Sequence, residues 1–96
     1  MPLRVFDFKG NAREESIIKA MNYAISHNAN IINLSLGQSQ FAYSSKYEKE
    51  IKKAYDNGII VVVAAGNGDV LSYSSSGVNT TVNPLSPVCN NGGNNK

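Results

Sequence analysis

Two short apolar runs in this 96-residue chain end on small residues, and one of them also on a side-chain amide, which could present a hydrogen-bond donor at the mouth of a sheet. The first is Gly58-Ile59-Ile60-Val61-Val62-Val63-Ala64-Ala65-Gly66-Asn67; the second is Asn30-Ile31-Ile32-Asn33-Leu34-Ser35-Leu36-Gly37. The Asn67 side chain is a neutral N–H donor, able to stabilise negative charge that develops on an oxygen without reorganising when the charge appears. Ala64, Ala65 and Gly66 before it leave room for another backbone to approach. Read alone, Gly66-Asn67-Gly68-Asp69 is more simply a turn, because Asn-Gly is a common turn pair. The second run gives the first a context. Ser35, Leu36 and Gly37 leave a strand that reads as buried, with small side chains at Ser35 and Gly37.

The elements that would position these residues follow from spacing. Leu3 to Phe6 reads as a short strand and Asp7-Phe8-Lys9-Gly10-Asn11 as a turn. With Asn11 as N-cap, a helix follows in which Glu14 and Glu15 occupy the first turn and Ile17, Ile18, Met21, Ala24 and Ile25 recur at helical spacing. Asn30 to Ser35 is too short and too Ile-rich for another helix, and reads as a buried parallel strand. A polar loop from Gly37 to Ser45 leads to a second helix from about Lys46 to Asp56, with Tyr47, Ile51, Ala54 and Tyr55 inward and Gly58 closing it. Ile59 to Ala64 is continuously apolar, so layers are expected on both faces of that strand. The expected order is β-α-β-α-β over residues 1–68. Residues 69–96 are rich in Gly, Asn and Ser and carry no helix or strand signal. A structureless loop of that length is unusual in a compact domain, and is expected to be a cut-off connection.

Composition excludes several classes. Nine Lys plus Arg against seven Asp plus Glu leave a net charge of +2 with no basic run, which argues against nucleic acid as a partner. No stretch approaches the roughly 20 apolar residues that span a bilayer, so no membrane partner is expected. The single cysteine, Cys89, allows no internal disulfide framework and has no companions for a metal site.

The segments Ile32-Asn33-Leu34-Ser35-Leu36-Gly37 and Val61-Val62-Val63-Ala64-Ala65-Gly66-Asn67 resemble two characteristic pieces of the subtilisin-like serine proteases, the subtilases, which read much like I-N-[LM]-S-L-G and V-V-x-A-A-G-N. Val5-Phe6-Asp7 lies where that family has a short strand ending in V-L-D, and the helix with Ile17, Ile18, Met21, Tyr23 and Ala24 takes the place of the family's helix before the substrate-binding strand. The likeness runs from about Leu3 to Gly68. It implies an incomplete α/β fold: a parallel sheet with helices on both faces, the subtilisin-like three-layer α/β/α arrangement, joined by right-handed crossovers. It also implies a serine endopeptidase that works through an acyl-enzyme. In that reading Asn67 is the oxyanion-hole donor, and Ser35, Leu36, Gly37, Ala64, Ala65 and Gly66 hold an extended polypeptide substrate.

None of the strings D-[ST]-G, H-G-T-H or G-T-S-M, which would carry the family's triad, occurs in these residues. The remainder of a catalytic domain is therefore an expected partner, and this segment alone is expected to be inactive. Asp7 precedes Phe8-Lys9-Gly10 and is not the triad aspartate; His27, the one histidine, lies near a helix end where it favours the helix dipole. No cofactor is expected in this segment, although family resemblance allows structural calcium in the complete protein, and it implies extracellular action. Two rival readings stand beside this one. The first is a flavodoxin-like or Rossmann-like module whose Gly66-Asn67-Gly68 loop binds an anion or a nucleotide, against which no helix pattern follows the loop. The second is a non-catalytic subtilase relative.

Overall fold

The computed structural model describes residues 1–37, 44–65, 87 and 90. Four elements follow one another: α1 over Glu14–Ser26, β1 over Ile31–Leu34, α2 over Ser45–Asp56 and β2 over Ile60–Val63. The two strands are parallel, with Ile31 opposite Ile60 and Leu34 opposite Val63.

In α1 the buried residues Ile17, Met21, Ala24 and Ile25 form one stripe at helical spacing. In α2 Tyr47, Ile51 and Ala54 do the same. These side chains meet Ile32, Leu34 and Ile59 in one core. Both helices end by the same device. Asn28 at φ 57° and Gly58 at φ 72° take the left-handed conformation. The next N–H then turns back to a carbonyl five residues earlier, Ala29 to Ala24 O and Ile59 to Ala54 O, each at 3.0 Å. Each helix is thereby redirected straight into the strand that follows it. Asn28 does without glycine because asparagine tolerates this region better than most residues.

The sheet alternates. Ile32 and Leu34 face the helices and are buried, with Val61 and Val63 partly buried beside them. On the other face Ile31 is 60% exposed, Ile60 62% and Val62 49%. Both helices therefore pack on one face of the sheet, and among the described residues nothing covers the other. This is an incomplete α/β fold, with the apolarity of β2 matched by a layer on one side.

Several expectations need correction. Residues 1–6 form no strand: Val5 packs against the core, but this stretch has no ladder partner, and an apolar pattern without a paired edge does not make a strand. The turn after it does form, with Asp7 Oδ1 accepting the N–H groups of Lys9 and Asn11 at 2.9 and 3.0 Å. Arg13 rather than Asn11 flanks α1, with no side-chain cap. Tyr55 is 63% exposed rather than inward. At about 100° per residue, Tyr47 and Ala54 both fall on one side of Ile51, and Tyr55 falls on the other. Gly66, Asn67, Cys89 and most of the Gly/Asn/Ser-rich stretch lie outside the described residues.

Candidate functional site

Because β1 and β2 are parallel and in register, both leave the sheet at the same end. The ladder continues one residue past β2, where Ala64 N–H donates to Leu34 O at 3.1 Å. Ser35-Leu36-Gly37 and Ala64-Ala65 are thus brought side by side as adjacent exits. Ser35, Gly37, Ala64 and Ala65 are exposed, whereas Leu36 is half-buried and packs against the core. Leu36 is the anchor of its segment. The Ser35 hydroxyl donates to Asn33 Oδ1 at 3.4 Å, a long bond that leaves it on the surface. A Cβ added at Gly37 would meet nothing within 4 Å among the described residues. Gly66 and Asn67 continue from Ala65 and lie outside the described residues.

A cavity of about 430 Å³ lies elsewhere, between the first residues of the chain, α1 and β1, with Leu3, Val5, Met21 and Ile32 in its lining. It reaches Leu36 but none of Ser35, Gly37, Ala64 or Ala65. Its lining mixes apolar side chains with His27, Asn28, Asn30 and Asn33.

His27 and Asp7 make their described side-chain contacts within their own stretches of chain. His27 follows α1, at the opposite end of β1 from the exits; its ring stacks on Tyr23 with centroids 3.8 Å apart, and its Nδ1 lies 2.8 Å from Tyr23 O. It caps the helix end. Asp7 is held within its own turn. Among the described residues no three His, Cys, Asp or Glu side chains are grouped so as to hold a metal ion. No described helix is long and apolar enough to cross a membrane.

Sequence reasoning missed a polar junction at the start of α2. The Ser44 Oγ accepts from Lys46 N–H as the N-cap and donates to Glu14 Oε1 of α1. Asn90 reaches the same place from the far end of the chain, its Nδ2 3.0 Å from Ser44 O and 2.9 Å from Glu48 Oε2. A serine just before a helical stripe is a recognisable cap signal. Nothing in the spacing of an Asn-rich tail singles out Asn90.

Comparison with known proteins accounts for these segments together. The family model described as the subtilase family matches residues 1–92. Subtilisin E of Bacillus subtilis (strain 168) is 36% identical over 80 residues, which is 83% of this chain and 19% of that protein. A thermostable alkaline protease of Halalkalibacterium halodurans is 37% identical over 65 residues, 68% of this chain and 18% of the relative. The major intracellular serine protease of Bacillus subtilis (strain 168) is 40% identical over 58 residues, 60% of this chain and 18% of the relative. The chain thus spans about a fifth of the length of the curated relatives it matches. With the family match extending over nearly all of its residues and the two strand exits lying side by side, the chain belongs to the subtilase family.

Proposed function

We propose that these residues form part of a serine endopeptidase that cuts peptide bonds through an acyl-enzyme, with the Asp, His and Ser of its triad supplied by polypeptide outside them. Asn67 donates its side-chain N–H to the oxyanion. Ser35, Leu36, Gly37, Ala64, Ala65 and Gly66 hold the extended substrate through main-chain hydrogen bonds and small side chains. The observation that carries this reading is the register of β1 and β2, which sets Ser35-Leu36-Gly37 beside Ala64-Ala65, two residues before Asn67. A neutral amide suits that place, because the charge it stabilises exists only in the transition state.

Asn67→Ala in the full-length polypeptide is expected to lower turnover about a hundred- to a thousandfold with little change in substrate affinity, a magnitude taken over from a subtilisin rather than worked out from this chain. Unchanged turnover would remove Asn67 from the chemistry. Action outside the cell belongs to the same proposal on family grounds, although one relative is named as intracellular. Recovery of the tagged full-length polypeptide from the medium checks it, and retention in the cytoplasm contradicts it.

A further inference from the structure

Asn57 and Gly58, at the joint between α2 and β2, carry two groups that can react with each other. In an unconstrained chain the Gly58 backbone nitrogen, once it loses its proton to water, can add to Asn57 Cγ and close a five-membered succinimide. A C–N bond forms, the bond from Cγ to Nδ2 breaks, and the amide nitrogen leaves as ammonia. Water then opens the ring at one of its two carbonyl carbons. The product is aspartate, or isoaspartate with one more methylene in the backbone. A glycine after the asparagine favours this chemistry, because no side chain hinders the attacking nitrogen.

The end of α2 holds both groups away from the reaction. Asn57 is exposed, yet its Nδ2 donates to Lys53 O at 2.7 Å, which turns the amide back along the helix. The Gly58 N–H donates to Tyr55 O at 2.9 Å, so the nitrogen keeps its proton. Asn57 N–H is shared between Lys53 O and Ala54 O, at 3.2 and 3.1 Å. Ile59, 6% exposed, then closes the turn by donating its N–H to Ala54 O at 3.0 Å, a bond that depends on Gly58 standing at φ 72°. The end of α1 supplies a contrast. It is closed by the same left-handed turn, but Asn28 is followed by Ala29, whose side chain crowds the nitrogen that would attack.

We propose that Asn57 is a conditional modification site, converted to aspartate or isoaspartate when the joint between α2 and β2 opens, and that the product keeps the joint from closing fully again. Conversion removes the amide donor to Lys53 O and sets a carboxylate among the last carbonyls of α2, where the helix dipole disfavours negative charge. Isoaspartate also lengthens the backbone inside a turn whose hydrogen bonds depend on its residue count. The joint thus records its own opening, in one direction. None of the residues assigned to peptide cutting takes part.

The test incubates the full-length polypeptide at mildly alkaline pH, folded or unfolded in urea, with a serine-directed inhibitor present to prevent self-digestion. Fragment-ion mass spectrometry locates conversion at residue 57 and separates it from the other Asn-Gly pairs, Asn67-Gly68 and Asn91-Gly92. In urea Asn57 should convert, and faster than Asn28. Folding should slow conversion at Asn57 about tenfold or more, as expected when the open joint makes up about a tenth of the population or less. Equal rates in the two states, or no conversion in urea, would overturn the proposal. Its second half is read from hydrogen exchange at the Gly58 and Ile59 amides. Exchange should quicken about tenfold in Asn57→Asp, which supplies one product directly, and in the modified fraction of aged parent protein, separated by its added negative charge. Unchanged exchange in the variant or in that fraction would overturn it.

Discussion

Gly37 and Gly58 are both glycines with open space beside them, yet alanine should act on them in opposite ways. A Cβ at either meets nothing within 4 Å among the described residues, so neither substitution creates a clash with them. Gly58 sits at φ +72°, whereas Gly37 is outside the left-handed region. Gly58→Ala therefore forces an L side chain into that region, at a cost of about 1–2 kcal/mol. Gly37→Ala should instead raise stability by up to about 1 kcal/mol, because it restricts the unfolded chain and strains nothing in the folded one. The folded protein tolerates that methyl group; a peptide lying along Ser35-Leu36-Gly37 would not. Crowding of a fitted contact costs about 1–3 kcal/mol, which corresponds to a loss of roughly 5- to 160-fold in peptide kcat/KM. Urea unfolding and peptide hydrolysis by the full-length polypeptide separate the two effects. Stability held or raised with activity lowered supports Gly37 in the peptide-holding edge. Gly37→Ala with both stability and activity intact would refute that assignment, and a Gly58→Ala variant as stable as the parent would refute the conformational argument beneath it.

Other consequences are direct. Burial, and second the Glu14 carboxylate, raises the Tyr47 phenol above its ordinary value of 10.0. The folded state keeps this proton to higher pH than the unfolded chain does, so the stabilisation is complete below pH 10.0 and is lost as the pH climbs through the folded-state pKa. Alkaline unfolding should thus be delayed in Tyr47→Phe relative to its own neutral stability; an alkaline profile identical to the parent's would contradict this. The 96-residue chain by itself, with Ile31, Ile60 and Val62 open on one sheet face, should self-associate as its concentration rises in sedimentation. Ile60→Thr with Val62→Thr should reduce that association. A monomer with a sharp, reversible, high-temperature melt would contradict it.

The helices were legible because their cores are written at a spacing that few other structures share: Ile17, Met21, Ala24 and Ile25, then Tyr47, Ile51 and Ala54. The stop at Gly58 was legible for a similar reason, since only a left-handed residue redirects a helix into a strand so abruptly. Leu3 to Phe6 misled because pairing is a property of two segments, and a local pattern names only one. Ile59 to Ala64 was read as covered on both sides, while the described residues supply a layer for one. Of the site, the sequence marked Ser35-Leu36-Gly37 and Ala64-Ala65, and the parallel register explains why they meet. Asn90 was illegible because its partners, Ser44 and Glu48, lie more than forty residues away and depend on how the tail returns. Asn67 and Gly66 rest on family resemblance together with their distance from the end of β2.

Whether the Asn67 amide faces developing charge can be read most directly from a crystal structure of the full-length polypeptide with a peptide aldehyde bound as a transition-state mimic. The account predicts Asn67 Nδ2 within about 2.7–3.1 Å of the tetrahedral oxygen, with the peptide paired along Ser35-Leu36-Gly37. An amide turned away from that oxygen, or a peptide seated elsewhere, would contradict it.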